Sequence, residues 1–511
     1  MRILTSKEAR LVDEFTMNNL GISGESLMEM AGHAVADEIA SLLQSKIGDK
    51  ILIVSGKGNN GGDGFAASLK LVKKFPRITI VSTCKKSDYS GDAKTFMIKC
   101  LHKGIQIKFE CDPDSITLNE FDIIIDGLLG TGISGEVREN IANWIEKING
   151  ANVPTLSIDV PSGINSDNGD ICGTAVKADA TVTIGFLKRG LLFNDGSLFS
   201  GDVTVADIGY PGDAFEPVET NVQLFDESLC YQYLKAPQRD TYKHKQGKVL
   251  IIAGAKGFTG AGCLASMGAL RSGAGLVVAA VPESLNDIYE SKLTEVMTCP
   301  LPDRGSGNFH EDCVNDLVPR LGWCDVVAVG PGVGTDDDSK KFLGKLFQLC
   351  EKPFVIDADA FSVFQNNPKL FGQFKNEFIL TPHFGEASRL MNVDKSNIKA
   401  EPINFLHESV QKTGGVWVLK GSPTIVADNL GITINNSGNQ GLATSGTGDV
   451  LTGLIAGFLA QGIPAEVASK LGVFIHGKAA DKLLESHGFK GLIASDLLNI
   501  IPGIIRIYEF N

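Results

Sequence analysis

The sequence of 511 residues lacks the grouped cysteines and histidines that mark metal-bound or disulfide-bonded proteins. Its 10 cysteines stand singly, with no C-x-x-C pair and no accompanying histidine cluster. This spacing argues against a zinc site and excludes a small disulfide scaffold. We expect most of these cysteines to be buried as small apolar side chains in a reducing compartment.

Features that direct a chain to membranes or nucleic acids are also scarce. The first residues, M-R-I-L-T-S-K-E, lack the apolar core of a signal peptide, and no apolar run is long enough to span a bilayer. A formal net charge of −13 argues against a nucleic acid as the partner. We therefore expect a cytoplasmic protein whose ligands are small molecules, with no membrane and no nucleic-acid partner.

What the sequence does contain is an alternation of helical patterns with short β-rich runs. Such alternation predicts doubly wound, mostly parallel sheets covered by helices on both faces. In the first half, strands are predicted at residues 51–54, 78–81, 123–125, 156–158 and 182–184. In the second half, they are predicted at residues 248–253, 276–280, 326–329, 354–356, 378–380 and 416–419, with a helix at residues 450–459.

The chain is too long for one ordinary core, and its periodicity weakens between residues 210 and 237, where prolines and acids accumulate. We therefore predict two α/β domains, at residues 1–222 and 223–511. Near the N-terminus, Thr5 and Glu8 have the spacing of a capping box, and so do Ser26 and Glu29.

A glycine-rich segment, G-K-G-N-N-G-G-D-G at residues 56–64, directly follows the first predicted strand. It contains G-x-G-x-x-G, but the second strand ends without the acidic residue that dehydrogenases place there. An ordinary dehydrogenase is therefore rejected. The backbone amides of this segment, at a helix N-terminus, are suited to holding phosphate; a plain tight turn is the alternative interpretation.

Two further segments place polar groups after strands, D-G-L-L-G-T-G at residues 126–132 and D-V-P-S-G at residues 159–163. The carboxyl ends of parallel strands form the binding crevice of an open α/β sheet. Asp126, Asp159, Asn60 and Ser162 offer hard oxygen ligands, which suit an alkali or alkaline-earth cation. Taken singly, each aspartate is also compatible with helix capping or turn formation.

Together the three segments resemble the NAD(P)H-hydrate epimerase domain of bifunctional NAD(P)H-hydrate repair enzymes, which implies a Rossmann-like sheet. The resemblance implies that K⁺ is held by Asn60, Asp126 and Ser162. It further implies a hydrate-binding set of Asn59, Asn60, Gly61, Gly62, Asp63, Gly130, Thr131, Gly132, Ile133, Ser134, Gly135, Glu136 and Asp159. Lys57 stands where the family usually has proline.

Epimerisation of a nicotinamide hydrate calls for proton transfer at the ring hydroxyl. Protonation releases water and leaves an iminium, and water returning to the other face inverts the centre. A positioned carboxyl group accelerates such transfer by about 10²–10⁴-fold. Asp159 is the predicted acid–base, with Asp126 chiefly a cation ligand, although the sequence leaves the choice between the two open.

A second candidate site is T-S-G-T-G-D-V-L at residues 444–451. It resembles the anion hole and catalytic aspartate of ribokinase-like kinases, in which Asp449 would accept a proton while the glycine-rich amides hold the transferring phosphoryl group. An acid in the first helical turn, stabilising the helix dipole, is the alternative role for Asp449.

Further segments of the second half extend the likeness to the ADP-dependent NAD(P)H-hydrate dehydratase, a ribokinase-like domain. They include G-P-G-V-G at residues 330–334, D-A-D-A at 357–360 and T-P-H-F-G-E at 381–386. The resemblance implies that the hydrate is contacted by Ala261, Gly334, His383 and Asp449. It implies that the nucleotide, bound with Mg²⁺, is contacted by Lys420, Gly421, Ser422, Pro423, Thr424 and Gly448. Phe361 and Phe384 replace the family's usual leucine and proline.

The leading interpretation is a bifunctional repair enzyme whose substrates are NADH and NADPH hydrates and ADP. Its first domain would interconvert the R and S hydrates, and its second would dehydrate the S hydrate, releasing AMP and phosphate. One alternative is a ribokinase-like kinase for a small alcohol with a non-catalytic N-terminal nucleotide-binding module. Another is an N-terminal module that regulates the second domain or recruits a partner. We also expect a homo-oligomer, a buried structural His476, and a solvated helix start at Asp336.

Overall fold

The computed structural model describes residues 1–44, 50–133, 135–219, 221–365 and 367–510. They form two compact units, Met1–Val222 and Gln223–Asn511. Both units are built around mainly parallel sheets, which confirms the predicted α/β class. Within these described ranges, no helix has the length and apolar character needed to cross a membrane.

The first unit alternates strands and helices along its length. Its strands are β1 (Ile3–Leu4), β2 (Lys50–Ser55), β3 (Arg77–Ser82), β4 (Gln106–Lys108), β5 (Ile123–Gly127), β6 (Thr155–Ile158), β7 (Ala180–Ile184), β8 (Leu187–Lys188) and β9 (Asp202–Ala206). Its helices are α1 (Ser6–Asn18), α2 (Gly24–Gln44), α3 (Asn59–Leu71), α4 (Gly91–His102), α5 (Glu139–Asn149) and α6 (Gly196–Phe199).

The main sheet of this unit has the order β4-β3-β2-β5-β6-β7-β9, and its paired strands are parallel. By order of appearance this is 3-2-1-4-5-6-7, the Rossmann arrangement, in which the strand order reverses between β2 and β5. All five strands predicted for this half are present. β1 and β8 pair separately, with Leu4 opposite Lys188.

Period-two alternation along β2 builds a core on each face of the sheet. Ile51 and Ile53 lie in one apolar cluster with α2, α3 and α4, whereas Leu52 and Val54 lie in another with Trp144 of α5. The capping box of Thr5 and Glu8 begins α1 as predicted. The second predicted capping box is wrong, because α2 already begins at Gly24 and the Ser23 hydroxyl accepts the Ser26 amide at 3.2 Å.

The second unit is larger and follows the same alternation. Its strands are β10 (Val222–Leu224), β11 (Lys248–Ile252), β12 (Leu276–Pro282), β13 (Met297–Leu301), β14 (Val326–Val329), β15 (Phe354–Ile356), β16 (Phe378–Leu380), β17 (Val416–Leu419), β18 (Ile425–Asp428) and β19 (Gly431–Ile434). Its helices are α7 (Ser228–Tyr233), α8 (Thr259–Arg271), α9 (Asn286–Lys292), α10 (Val314–Trp323), α11 (Asp337–Leu349), α12 (Phe384–Met391), α13 (Lys395–Ala400), α14 (Pro402–Thr413), α15 (Thr447–Ala460), α16 (Ala465–Leu483) and α17 (Ala494–Glu509).

The sheet of this unit has the order β10-β19-β18-β17-β16-β15-β14-β11-β12-β13. Its strands from β11 to β17 pair in parallel, and β18 and β19 add antiparallel pairs. The six strands predicted for this half are all present. Helices α8 and α15 pack closely, because Cβ atoms at Gly268 and Gly453 would meet the backbone of the facing helix. This contact fixes the N-terminal turn of α15, which carries Asp449.

Candidate active sites

In the first unit, loops after β2, β5 and β6 surround a cavity of about 870 Å³. Most of the residues in the predicted hydrate-binding set line it. They are Asn59, Asn60, Asp63, Gly130, Thr131, Gly132, Ile133, Glu136 and Asp159. Gly61, Gly62 and Gly135 do not line the cavity, and Ser134 lies outside the described residues.

The glycines of the first loop permit close backbone contact. A Cβ atom at Gly56 would clash with the carbonyl oxygen of Leu128, and one at Gly61 would clash with the carbonyl oxygen of Gly56. A Cβ at Gly62 would meet the side chain of Met28. Gly61 and Gly62 therefore serve the packing of α3 beneath the cavity, whereas Asn59 and Asn60 face it.

The three predicted cation ligands meet around the backbone of Leu129. Asn60 Nδ2 donates to the Leu129 carbonyl at 2.7 Å, and the Leu129 amide donates to Ser162 Oγ at 2.9 Å. Ser162 Oγ in turn lies 2.6 Å from Asp126 Oδ1. Asn60 Oδ1 is buried without a hydrogen-bond partner among the described residues. A buried amide oxygen without a hydrogen-bond partner fits an oxygen-ligated cation such as K⁺.

Asp126 is fully buried and engaged on both carboxylate oxygens. Oδ2 accepts from the Ser157 hydroxyl at 2.8 Å and the Ser162 amide at 2.9 Å, and Oδ1 also accepts from the Leu128 amide at 3.2 Å. Burial raises the pKa of Asp126, and these hydrogen bonds oppose the rise. The carboxyl group fastens two loops together and does not line the cavity, so geometry favours Asp159 over Asp126 for proton transfer.

Asp159 lies at the cavity wall in a strained conformation, with a φ of 67°. Its Oδ1 lies 2.5 Å from Lys188 Nζ and accepts the Ile184 amide at 3.1 Å. The Lys188 side chain is 3% exposed and also donates to the Ile184 carbonyl at 2.6 Å. The side chain of Asp159 is thus held by a buried ammonium group at the carboxyl end of β6.

Two more carboxyl groups, Asp13 of α1 and Asp63 of α3, line the same cavity. The Tyr210 hydroxyl donates to Asp13. Burial, and then the nearby charge of Asp159, raise the pKa of Asp63 well above its ordinary value, while Lys188 opposes the rise. Sequence reasoning missed the roles of Asp13, Lys188 and Tyr210, which lie in no motif and reach the cavity only through the packing of α1 and the pairing of β8 with β1.

In the second unit, Asp449 occupies the first turn of α15, after a left-handed Gly446 with a φ of 89°. A Cβ atom at Gly448 would lie 3.6 Å from Lys420 Nζ, so the glycine-rich turn faces the lysine directly. An ammonium group beside free amides at a helix N-terminus is an arrangement that binds phosphate.

Lys420 anchors a buried polar network. Its Nζ lies 2.7 Å from Asp357 Oδ1 and 4.0 Å from Glu386 Oε2, and the Thr452 hydroxyl donates to Asp357 Oδ2 at 2.6 Å. Burial opposes the charge on Lys420, but Asp357 and Glu386 outweigh burial and leave its pKa raised. Thr452 was not singled out from the sequence, and Asp357 and Glu386 appeared there only as parts of D-A-D-A and T-P-H-F-G-E.

Asp449 stands beside this network without being its ion-pair partner. Burial and the negative charge of Asp357 raise the pKa of Asp449 to about 7, and Lys420 limits the rise. A carboxyl group with a pKa near neutrality has the proton affinity expected of a general base. The alternative role of a plain helix-stabilising acid accounts for the first-turn position but not for this burial.

The other predicted hydrate contacts lie on neighbouring strand-end loops. His383 caps α12, its Nδ1 accepting the amides of Gly385 at 2.9 Å and Glu386 at 3.2 Å. Burial and then Lys420 lower its pKa. The Gly334 amide donates to Asp359 Oδ2 at 3.0 Å. A Cβ at Gly332 would lie 3.5 Å from that of Ala261, which places Ala261 beside the same glycine-rich loop.

The predicted nucleotide segment continues β17 past Lys420. The Thr424 hydroxyl donates to the Gly421 carbonyl at 3.1 Å, closing the turn that contains Ser422 and Pro423. A Cβ at Gly421 would lie 2.5 Å from the ring of Phe384, one of the two departures from the family pattern. Phe384 therefore packs against the segment predicted to hold the nucleotide.

Two structural roles predicted from sequence are present. His476 is buried, its Nε2 lies 3.0 Å from the Thr447 carbonyl, and burial lowers its pKa to about 4. Asp336 caps α11 by accepting the amides of Asp338 at 3.1 Å and Ser339 at 3.0 Å.

The fold and sites define a class, namely an enzyme with two α/β units, one with a carboxyl-lined cavity and one with a glycine-rich helix N-terminus beside Asp449 and Lys420. Comparison with known proteins agrees. The family described as NAD(P)H-hydrate dehydratase matches residues 249–503, and the family described as YjeF-related protein N-terminus matches residues 24–190.

Relatives match along the whole chain. The bifunctional NAD(P)H-hydrate repair enzyme of Moorella thermoacetica is 34% identical over 518 residues, covering 100% of this chain and 97% of that protein. The enzyme of the same description from Dictyoglomus turgidum is 33% identical over 513 residues, covering 98% of each. A ribokinase-like superfamily protein from Enterococcus faecalis V583 shares the fold, with a TM-score of 0.50 at 23% identity over 57% of this chain and 97% of that one. The chain belongs to the family of bifunctional NAD(P)H-hydrate repair enzymes.

Proposed function

We propose that this chain repairs hydrated NADH and NADPH in two steps. The first unit interconverts the R and S hydrates, and the second uses ADP to dehydrate the S hydrate to NADH or NADPH, with release of AMP and phosphate. The observation that carries the proposal is the presence, in one member of this family, of both a carboxyl-lined cavity and a base at a glycine-rich helix N-terminus.

In the first unit, the nicotinamide ring of the hydrate lies against Asp63 and Asp159, and the glycine-rich loops contact the remainder of the dinucleotide. Lys57, Arg10 and Arg138 also line the cavity and are exposed, so they supply positive charge for the phosphates. Asp159, held by Lys188, exchanges a proton with the ring hydroxyl or with the attacking water.

K⁺ is proposed for the pocket formed by Asn60, Asp126 and Ser162. The buried and unpaired Asn60 Oδ1 supports this placement, as does the carboxyl group of Asp126, which accepts the Ser162 hydroxyl. When bound, the cation supplies positive charge that ties the loops after β2, β5 and β6 together and sets the shape of the cavity. Asn60 would then bind the cation with Oδ1 while its Nδ2 donates to the Leu129 carbonyl.

In the second unit, Asp449 removes the proton of the ring hydroxyl, which attacks the terminal phosphoryl group of ADP. The amides around Gly448 and the ammonium group of Lys420 stabilise the charge on that group. AMP leaves, and phosphate then departs from the ring with the C–O electron pair while the neighbouring ring carbon loses a proton to water; phosphate is a far better leaving group than hydroxide. Mg²⁺ bound with the nucleotide offsets the charge of its phosphates.

Ala261, Gly334 and His383 form the wall that orients the ring against Asp449, and the segment from Lys420 to Thr424 holds the adenine nucleotide. His383 is a weak base at neutral pH, because burial and Lys420 lower its pKa. It therefore contacts the hydrate as a neutral group, leaving proton removal to Asp449.

The test uses a mixture of both NADH-hydrate epimers with the full chain, Mg²⁺, K⁺ and ADP. Reduced-nicotinamide absorbance should return completely, with one phosphate and one AMP formed per NADH. Recovery that stops at the share of one epimer would remove the epimerase step. A stable phosphorylated product, without NADH, would instead support a small-molecule kinase with a non-catalytic N-terminal module.

A further inference from the structure

Asp63 is the most deeply buried of the described acidic side chains that line the first cavity. It is 7% exposed and lines the cavity, yet its carboxyl group has no hydrogen bond or ion pair among the described residues. Asp159, in the same cavity, is paired with Lys188, and Asp13 accepts the Tyr210 hydroxyl. A buried carboxyl group that faces a cavity without a partner is costly unless it carries a proton or meets a ligand.

Inversion at the hydrated ring carbon requires proton transfer on both faces of the ring. One group must protonate the departing hydroxyl, and a second must take a proton from the water that attacks the opposite face. A single carboxyl group fixed in the wall, as Asp159 is by Lys188 and the Ile184 amide, is anchored at one side of the ring. The reaction therefore needs a second proton-transfer group in the cavity besides Asp159.

We propose that Asp63 is a second catalytic residue of the epimerase site and acts as the acid when Asp159 acts as the base. The two residues come from different elements, since Asp63 lies on α3 and Asp159 follows β6, and both line the one cavity. The inference rests on the proposed epimerase function and names the second proton-transfer group that this function requires.

The charges around Asp63 favour its protonated form. Asp159 and Asp13 both raise the pKa of Asp63, on top of the larger effect of burial, and Lys188 is the basic group that opposes them. The Tyr210 hydroxyl donates a hydrogen bond to Asp13, and so stabilises the Asp13 carboxylate and not that of Asp63. Neighbouring carboxyl groups that cannot all ionise divide into an acid and a base.

Asp63 gives its proton to the ring hydroxyl, the C–O bond breaks with its electron pair leaving as water, and the ring nitrogen supplies the electrons that form the iminium. Water then adds to the other face and gives a proton to Asp159. One proton has moved from Asp63 to Asp159, and the reverse reaction, or exchange with water in the open cavity, returns it.

The test compares Asp63→Asn with the wild type, using one purified NADPH-hydrate epimer in the presence of K⁺ and in the absence of ADP. Chromatographic separation of the two epimers gives the rate of interconversion. The expected loss in Asp63→Asn is about 10²–10⁴-fold, with binding of the hydrate and the thermal midpoint retained. The control is Asp37→Asn, an exposed aspartate of α2, which should keep the wild-type rate.

Dehydration of the S hydrate by the same polypeptide, measured with ADP, should be unchanged in both variants. Wild-type interconversion in Asp63→Asn would overturn the inference and leave the epimerase function standing. Joint loss of hydrate binding and thermal stability in that variant would assign Asp63 a structural role and also overturn it. Failure of the wild type to interconvert the epimers would instead overturn the proposed function itself.

Discussion

The two candidate sites use buried carboxyl groups in opposite ways. In the first unit, Asp13, Asp63 and Asp159 share one cavity, and Lys188 pairs with Asp159. In the second unit Lys420 pairs with Asp357, and Asp449, whose pKa is raised to about 7, lies beside the glycine-rich turn. The first arrangement suits proton exchange in both directions, and the second suits removal of one proton from a nucleophile.

Backbone strain marks both sites but falls on different kinds of residue. Asp159, with a φ of 67°, is the proposed acid–base itself. At the second site the left-handed residue is Ala358, with a φ of 51°, which lies between Asp357 and Asp359. Strain of this kind persists when surrounding structure holds it, and it accumulates at functional sites. The strained residue is thus the proposed acid–base itself at the first site, whereas at the second site it is the residue between two acids.

The largest expected effect is a loss of dehydration, without a loss of epimer interconversion, when Asp449 is replaced. Asp449→Asn should lower kcat/KM for dehydration by about 10²–10⁴-fold, because it removes the general base without changing the shape of the side chain. Epimer interconversion should be unaffected. Absorbance and chromatographic assays on the same preparation give both rates. Asp316→Asn, an exposed acid of α10, is the matched control, and equal loss of both activities in Asp449→Asn would contradict the separation.

The next effect concerns the buried ion pair of the second unit. Lys420→Met should lower the free energy of unfolding of this unit by about 3 kcal/mol, the lower end for a broken buried pair, since the Lys420 side chain is 21% exposed. Denaturant unfolding measures the loss. The double variant Lys420→Met with Asp357→Leu should recover part of it, because the Asp357 carboxylate is no longer left without its partner. If the losses in free energy of unfolding of the two single variants simply add up in the double variant, Lys420 and Asp357 do not stabilise each other.

The two reactions should also differ in the sign of their pH dependence. Asp449 must be ionised to act, so kcat/KM for dehydration should rise about tenfold between pH 6 and pH 7.5 and then level off, given its pKa of about 7. Lys420→Gln should move the midpoint to higher pH, since Lys420 lowers the pKa of Asp449. Interconversion should fall at alkaline pH, as Asp63 loses its proton. If the rates of dehydration and of interconversion change with pH in the same direction, the proposed difference between the two sites is contradicted.

The smallest effect tests the cation. Replacing Na⁺ by K⁺ at about ten times its Kd should stabilise the first unit by about 1.4 kcal/mol, which corresponds to a rise in thermal midpoint of about 3 °C. Asn60→Leu should abolish this rise, because it removes the unpaired Oδ1. Asn18→Leu, at an exposed position in α1, is the control. An equal K⁺ response in Asn60→Leu would place the cation elsewhere.

Much of the fold could be predicted from the sequence, because buried parallel strands are continuous apolar runs. β2 and β5 appear as such runs, and the glycine-rich segments after them mark the carboxyl edge of the sheet. Short strands were missed for a physical reason. β4 (Gln106–Lys108) has a single apolar residue, which is too little to reveal a strand without its partner.

The candidate sites were predictable only where their residues lie in one segment. Asn60, Asp159 and Asp449 each lie in a motif that can be recognised in the sequence. Other polar contacts of the two sites join residues far apart in the chain: Tyr210 donates to Asp13 in the cavity that Asp63 lines, and Thr452 donates to Asp357. No local pattern specifies such pairs. The hydrate-binding and nucleotide-binding sets, the cytoplasmic location and the homo-oligomer stay predictions.

The most direct measurement starts from the R hydrate of NADPH alone, with the full chain, K⁺, Mg²⁺ and ADP. Absorbance would follow NADPH while phosphorus NMR follows ADP, AMP and phosphate. The wild type should return all of the NADPH with one AMP and one phosphate for each molecule, and Asp449→Asn should produce S hydrate but no NADPH. Failure of the wild type to form NADPH from the R hydrate, while it converts the S hydrate normally, would contradict a two-step repair within one chain.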